Sequence, residues 1–259
     1  MKVQALIRFL LLFFCLSMMI ASARANMHIG IKLYENRHFD ILNDFQSEQN
    51  IDKAILFFSN KLSDPQHEKE AALYLLKSYY FKGEFILKDI EQKKKIFNEG
   101  KNLGEKLIHQ FPTSVEYKYW YLVNLGSWAK AYGILTAAYE GVADIMKKQS
   151  EIIIELDSNY QDGGGYFMLG AVHHKSPYIP FLLPWPNNKD AIKYLQLALN
   201  TGLERLNQKV YLAQALKKNN QINKAKNLLI EVSNAIPDSL NLIEDLFEIE
   251  KANNLLQNL

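Results

Sequence analysis

The chain is short of the residues that break helices and of those that build covalent or metal sites. Its single cysteine, Cys15, lies midway through an apolar N-terminal stretch, directly after Leu12-Phe13-Phe14. A lipid-attachment signal would place small residues there. Once that stretch is removed, disulfides, thiolate nucleophiles and cysteine-ligated metals are excluded. Only 7 prolines and 12 glycines occur among 259 residues, so little interrupts long helices. Neither sign of charge dominates. The chain has 30 basic and 28 acidic residues, and three of the basic ones, Lys2, Arg8 and Arg24, belong to the N-terminal segment. The remainder sits within about one charge of neutrality, so no global field draws it to nucleic acid.

The motifs of common chemistries are missing too. No His-Glu-x-x-His and no Gly-x-Ser-x-Gly occurs, and no Gly-Lys-Ser/Thr follows the Gly163-Gly164-Gly165 triplet. Asp157-x-Asn159-x-Gln161 starts like a calcium loop. It then has Asp162 where glycine is required and Met168 where glutamate is required. His173 and His174 are adjacent and project about 100° apart on a helix, which reads as one packed and one solvated histidine. Glu151, Glu155 and Asp157 read as a solvated helix face. The expectation is a protein that is not an enzyme, with no cofactor and no metal.

Residues 1–25 have the layout of a signal peptide. Lys2 and Arg8 precede the apolar stretch Phe9 to Ile20, and Ala23-Arg24-Ala25 is a small-x-small cleavage site. The 15 residues between Arg8 and Arg24 fall short of the roughly 20 that span a bilayer. Cleavage is expected after Ala25, releasing a periplasmic chain without a lipid anchor; an uncleaved anchor is the alternative.

Residues 26–259 read as one all-α domain. An imperfect first helix falls within 26–48. From Ile51 onward the apolar positions follow helical spacing. Helices are expected at 68–83, 97–111, 115–132 and 134–156, with Asp162 and the glycine triplet opening another. A terminal helix over about 239–257 would cap the array. Ala191, Leu195 and Ala198 return 34 residues later as Ala225, Leu229 and Val232. That period is the one found in tetratricopeptide (TPR) repeats. The fold class expected is therefore a compact α-solenoid of degenerate TPR-like hairpins, with about ten helices in all. Gly100 and Gly104 sit where a second repeat helix needs small residues for close packing. Two stretches depart from the period, 84–95 and 177–186.

Two features point to binding. Trp120, Asn124 and Trp128 recur at four-residue spacing with Tyr117 one turn earlier. Neighbours at this spacing share a helix side, and a polar Asn between indoles can read a ligand group in an apolar cavity. Plain hairpin packing is the competing reading. The second feature is the segment from Pro177 to Pro186. Its four prolines preclude a helix, yet Tyr178, Ile179, Phe181, Leu182 and Trp185 make it strongly apolar, as a partner-binding loop would be. It could instead cover its own solenoid or a ligand.

Tyr119-Trp120, Asn124-Leu125-Gly126-x-Trp128, Leu156-Asp157-x2-Tyr160, the glycine triplet, Leu169-Gly170 and Pro177 occur in this order. The combination resembles the TRAP-transporter T-component (TatT) family. The resemblance continues through the Ala191 hairpin and Val210-Tyr211-Leu212-Ala213 and covers roughly half of the mature chain. It implies an all-α fold with cryptic TPR motifs, and a periplasmic role beside a solute-binding P-component. It further implies an internal channel or cavity, and it admits a homotrimer. Members of that family often carry a lipid anchor, a pattern from which Cys15 departs. On this reading Tyr117, Trp120, Asn124, Trp128, Tyr160, Tyr166 and Trp185 line a cavity or its mouth, and the solute is small and either apolar or carboxylate-bearing. A general cell-envelope interaction scaffold without a solute is the alternative.

Overall fold

The structure, a computed structural model, describes residues 27–42 and 49–259. The expected signal peptide and its cleavage site lie outside the described residues, as does part of the expected first helix. No helix among the described residues is long and apolar enough to cross a membrane. They are all-helical apart from one isolated bridge, Ile179 with Leu183. The chain separates into two compact units, Met1–Ser78 and Tyr79–Leu259, where the sequence reads as one domain.

In the first unit, residues 27–35 form α1. A 3-10 turn, Asn36–His38, leads into the short α2, Phe39–Leu42. Helix α3 spans Asn50–Lys61. Its start is capped from outside the helix: the Asp40 carboxylate accepts from the backbone N–H groups of Asn50 and Ile51, both at 2.8 Å. That supplies orphan donors at the helix N-terminus with an acceptor. Ile51, Ala54 and Phe58 form its buried face. Helix α4, Glu68–Phe81, contributes Ala71, Ala72, Leu75 and Leu76, and Phe58 stacks on Tyr74 at 5.1 Å.

The second unit begins with the end of α4 and a five-residue π-helix, Lys82–Ile86. It continues with α5 (Ile90–Gln110), α6 (Val115–Tyr132), α7 (Ile134–Tyr139) and α8 (Val142–Leu156). Then follow α9 (Gly164–Lys175), α10 (Asn188–Thr201), α11 (Leu206–Lys218), α12 (Ile222–Ser233) and the terminal α13 (Leu242–Gln257). Neighbours pack as antiparallel hairpins: α5 on α6, α8 on α9, α9 on α10, α11 on α12. A second set of contacts links α6, α9, α11 and α13 into one row. The repeat positions do what their period requires. Ala191, Leu195, Ala198, Ala225, Leu229 and Val232 are all buried.

Two boundaries differ from the sequence reading. Helix α5 begins at Ile90, seven residues before the expected start, because Asp89 caps it by accepting from Gln92 N–H at 2.9 Å. The expected helix 134–156 is broken in two. Gly141 adopts φ +65°, a left-handed geometry open to glycine, and turns the chain between α7 and α8.

Candidate functional site

Helix α6 carries most of the candidate residues, and the structure divides them between different surroundings. Each four-residue step along a helix advances about 40°, so Trp120 and Trp128 point about 80° apart. Asn124 is enclosed between α5 and α6. Its amide donates to the Trp120 carbonyl at 2.9 Å, and its side chain fills the space left by Gly100. Trp128 is also buried, stacked on Tyr132 at 4.5 Å with the Lys101 ammonium over its ring. Its indole N–H is without a partner among the described residues. Tyr117 packs on Phe111 at 5.3 Å. Gly104 lets α5 approach the Tyr121 backbone; a Cβ there would sit 3.0 Å from Tyr121 Cα. Asn124 therefore faces a helix interface and does not line a cavity between the indoles.

Trp120 is turned about 40° from Asn124 and meets a different set of neighbours. It meets Tyr80 at 6.1 Å and Tyr119 at 5.7 Å, and Tyr119 meets Tyr160 at 5.5 Å. Tyr166 is half-buried on α9. From Trp120 an aromatic surface continues along the row of α6, α9, α11 and α13. Phe167 lies edge-on to Tyr211 at 5.1 Å. Phe85, on the π-helix, lies edge-on to Phe247 on α13 at 5.6 Å. The first and last elements of the second unit thus touch, and the row closes around an inner face. Phe247 and Lys251 also border an open cavity of about 360 Å³.

Charged groups punctuate this face. Lys130 pairs with Glu84, and Lys251 pairs with Glu248 at 3.1 Å. Lys175 donates to Gln214 Oε1 at 2.8 Å. The ammoniums of Lys175 and Lys251 lie over the same Tyr211 ring, at 5.1 and 5.0 Å. Titration follows from this crowding. Burial pushes the Tyr211 phenol up to about 12, with Glu248 and Glu84 adding to the effect. Tyr80 is raised well above the usual phenol range by burial and then by Glu84, Glu244 and Glu248. Tyr160 is pushed up to about 12 by burial and then Glu116, against opposing polar contacts from Trp120 and Gln161. Glu248 is raised by burial despite Lys251. Lys175 is lowered by burial and then by the like charge of Lys251.

The loop after α9 is held at its base and bare at its tip. Trp185 donates to Asp144 Oδ1 at 2.7 Å and packs edge-on to His173 at 4.9 Å. It therefore anchors the loop to α8 and α9. Ile179 and Leu183 exchange backbone hydrogen bonds at 2.9 and 2.7 Å. This throws Tyr178, Phe181 and Leu182 into solvent, with Phe181 at φ +66°. His173 is buried, accepting from Asn187 N–H, and His174 is half-buried beside Asn188. Among the described residues no group of three or more His, Cys, Asp or Glu side chains could hold a metal.

No protein-family model and no curated protein matches the chain. Among solved structures it is similar to a thermophilic TPR protein of Thermus thermophilus, with a TM-score of 0.58 at 13% identity, covering 91% of this chain and 97% of that one. The chain has a TPR-like fold. Sequence reasoning missed Tyr80, Phe85, Lys175, Tyr211, Phe247 and Lys251. Only Phe247 and Lys251, one turn apart on a helix read as a plain cap, left a local trace.

Proposed function

We propose that the protein is a non-catalytic binding scaffold whose inner aromatic face accepts a small solute and whose Tyr178–Leu182 loop docks a partner protein. The observation that carries this reading is the closure of the second unit by Phe85 and Phe247 around a face rich in aromatic rings. Aromatic surface with a small number of placed polar groups is a usual lining of small-ligand sites. In its specific form the protein is a periplasmic accessory component of a TRAP-type uptake system, bound to the solute-binding P-component. The ordered residues from Tyr119 to Pro177, the TPR-like fold and the signal-peptide layout of residues 1–25 support this form.

Affinity capture from periplasm with the native chain tests it. Enrichment of a solute-binding protein, lost in the Phe181→Asp variant, is the expected result. Enrichment of other envelope proteins with no solute-binding protein among them would sink the TRAP reading and favour the general scaffold.

A further inference from the structure

Charge in the second unit is sorted by edge. Consecutive helices there pack as antiparallel neighbours, so their connections fall alternately at two edges. One edge holds the connections 133–141, 176–187 and 219–221, linked by the hydrogen bonds of Trp185 to Asp144 and of Asn188 to Ala215. With the seven helix residues on either side of each, they carry ten lysines against three acidic residues, Glu140, Asp144 and Asp190. Residues 82–96 meet this edge through the Lys130–Glu84 pair and Lys94 over Tyr132, and they add five lysines and three acidic residues. The other edge holds 111–114, 157–163, 202–205 and 234–241, where Asp162 pairs with Arg205. Counted in the same way, it carries four basic and twelve acidic residues. The near-neutral chain thus conceals two edges of opposite charge.

The basic edge also bares apolar side chains. Helix α7 has no buried residue, although all but Thr136 of its side chains are apolar. Ile134, Leu135 and Tyr139 are exposed, Leu135 at 82% and Tyr139 at 90%. Exposure alone does not single this edge out, since Leu203, Ile236 and Leu240 are exposed at the acidic one. What differs is the company of cations. Lys148, Lys189, Lys193, Lys218, Lys224 and Lys226 are exposed and in no ion pair among the described residues. Apolar side chains flanked by free lysines suit the boundary between acyl chains and anionic headgroups.

We propose that this edge rests on an anionic lipid bilayer, with Ile134, Leu135 and Tyr139 at the acyl-chain boundary and the exposed lysines on the headgroup phosphates. The lysines are spread along the edge from α8 to α12, which fits an extended charged surface better than one small acidic patch on a protein. The acidic edge then points away from the bilayer. This goes beyond the proposed function and does not rest on it: a partner docked on the Tyr178–Leu182 loop, which stands on the same edge, would be held beside the lipid.

Co-sedimentation of the exported protein with phosphatidylglycerol vesicles and with phosphatidylcholine vesicles tests the proposal. The anionic vesicles are expected to bind about tenfold more tightly or better, with the advantage fading as salt is raised. Lys224→Glu with Lys226→Glu should weaken that binding about tenfold. Leu135→Asp with Tyr139→Asp should weaken it by a similar factor. Ile236→Asp, exposed on the acidic edge, should leave it unchanged. Every variant shares residues 1–25, so differences among them report on the edges. Equal binding to the two kinds of vesicle would overturn the proposal. So would undiminished binding to anionic vesicles in a folded variant with all four edge substitutions; loss of partner capture in that same variant would assign the edge to a protein instead.

Discussion

The two sides of α6 are built from the same kinds of residue and serve different ends. Toward α5, Asn124 and Trp128 are closed in by Gly100, Lys101 and Tyr132. Toward the inner face, Trp120 and Tyr119 are half-buried among Tyr80 and Tyr160. The difference comes from what stands opposite. A glycine pair on α5 lets a helix come close enough to enclose a polar amide. On the other side the neighbours are rings, Tyr80 against Trp120 and Tyr160 against Tyr119. A four-residue spacing brings side chains near one another on a helix, but the partner helix decides whether they become core or lining.

Paired substitutions can break this contrast. Trp128→Ala should have the largest effect, a loss of about 3–5 kcal/mol for a buried indole. Trp120→Ala, at a half-buried position, should cost less; urea unfolding of the two variants side by side measures the gap. Equal losses would mean that the two sides are packed alike. Next, Gly100→Ala places a Cβ against the Asn124 side chain. It should destabilise by about 1–3 kcal/mol in spite of the better helix propensity of alanine. Adding Asn124→Ala should restore part of that loss, because the collision is with that side chain, and a double-mutant cycle reads the coupling.

Away from both sides of α6, the loop tip supplies a reference. Phe181 has a left-handed backbone and no packing to lose. Phe181→Gly should therefore stabilise by about 1 kcal/mol at most, seen as a small rise in the unfolding midpoint. The smallest effect is expected at Lys175. Its folded pKa lies below the usual lysine value, so its charge is penalised in the folded state at neutral pH. Lys175→Met should raise Tm slightly at pH 7. As pH climbs through the lowered folded pKa toward 10.5, the folded wild-type lysine sheds its proton before the unfolded one, and the advantage should vanish. Thermal melts across that range test it.

Much of the fold is legible in the sequence. The echo of Ala191 and Ala225 placed two helices correctly, because small buried residues at fixed spacing have one geometric purpose. Asp162 with the glycine triplet marked the start of α9. The break at Gly141 was hidden, since apolar residues keep helical spacing on both sides of it and only the positive φ separates them. The site was harder to see. Tyr117, Asn124 and Trp128 looked like lining because they sit on the helix that also carries Trp120. Tyr80, Tyr211 and Lys251 belong to helices far apart in the chain. They meet only because the row turns back on itself, and no local pattern encodes that.

That turn has a kinetic side. In an open solenoid each repeat leans on its neighbours, so the array can fray from either end and start folding anywhere. The contact of Phe85 with Phe247 joins the two extremes of the second unit. Contacts between such distant residues slow folding, since loop closure must come before any reward. Once made, they tie the terminal helix to the first turn, so that this helix can peel away only by giving up its contact with the start of the unit. Removing α13 should therefore do more than shorten the array: it should loosen the π-helix at the other end of the unit's sequence.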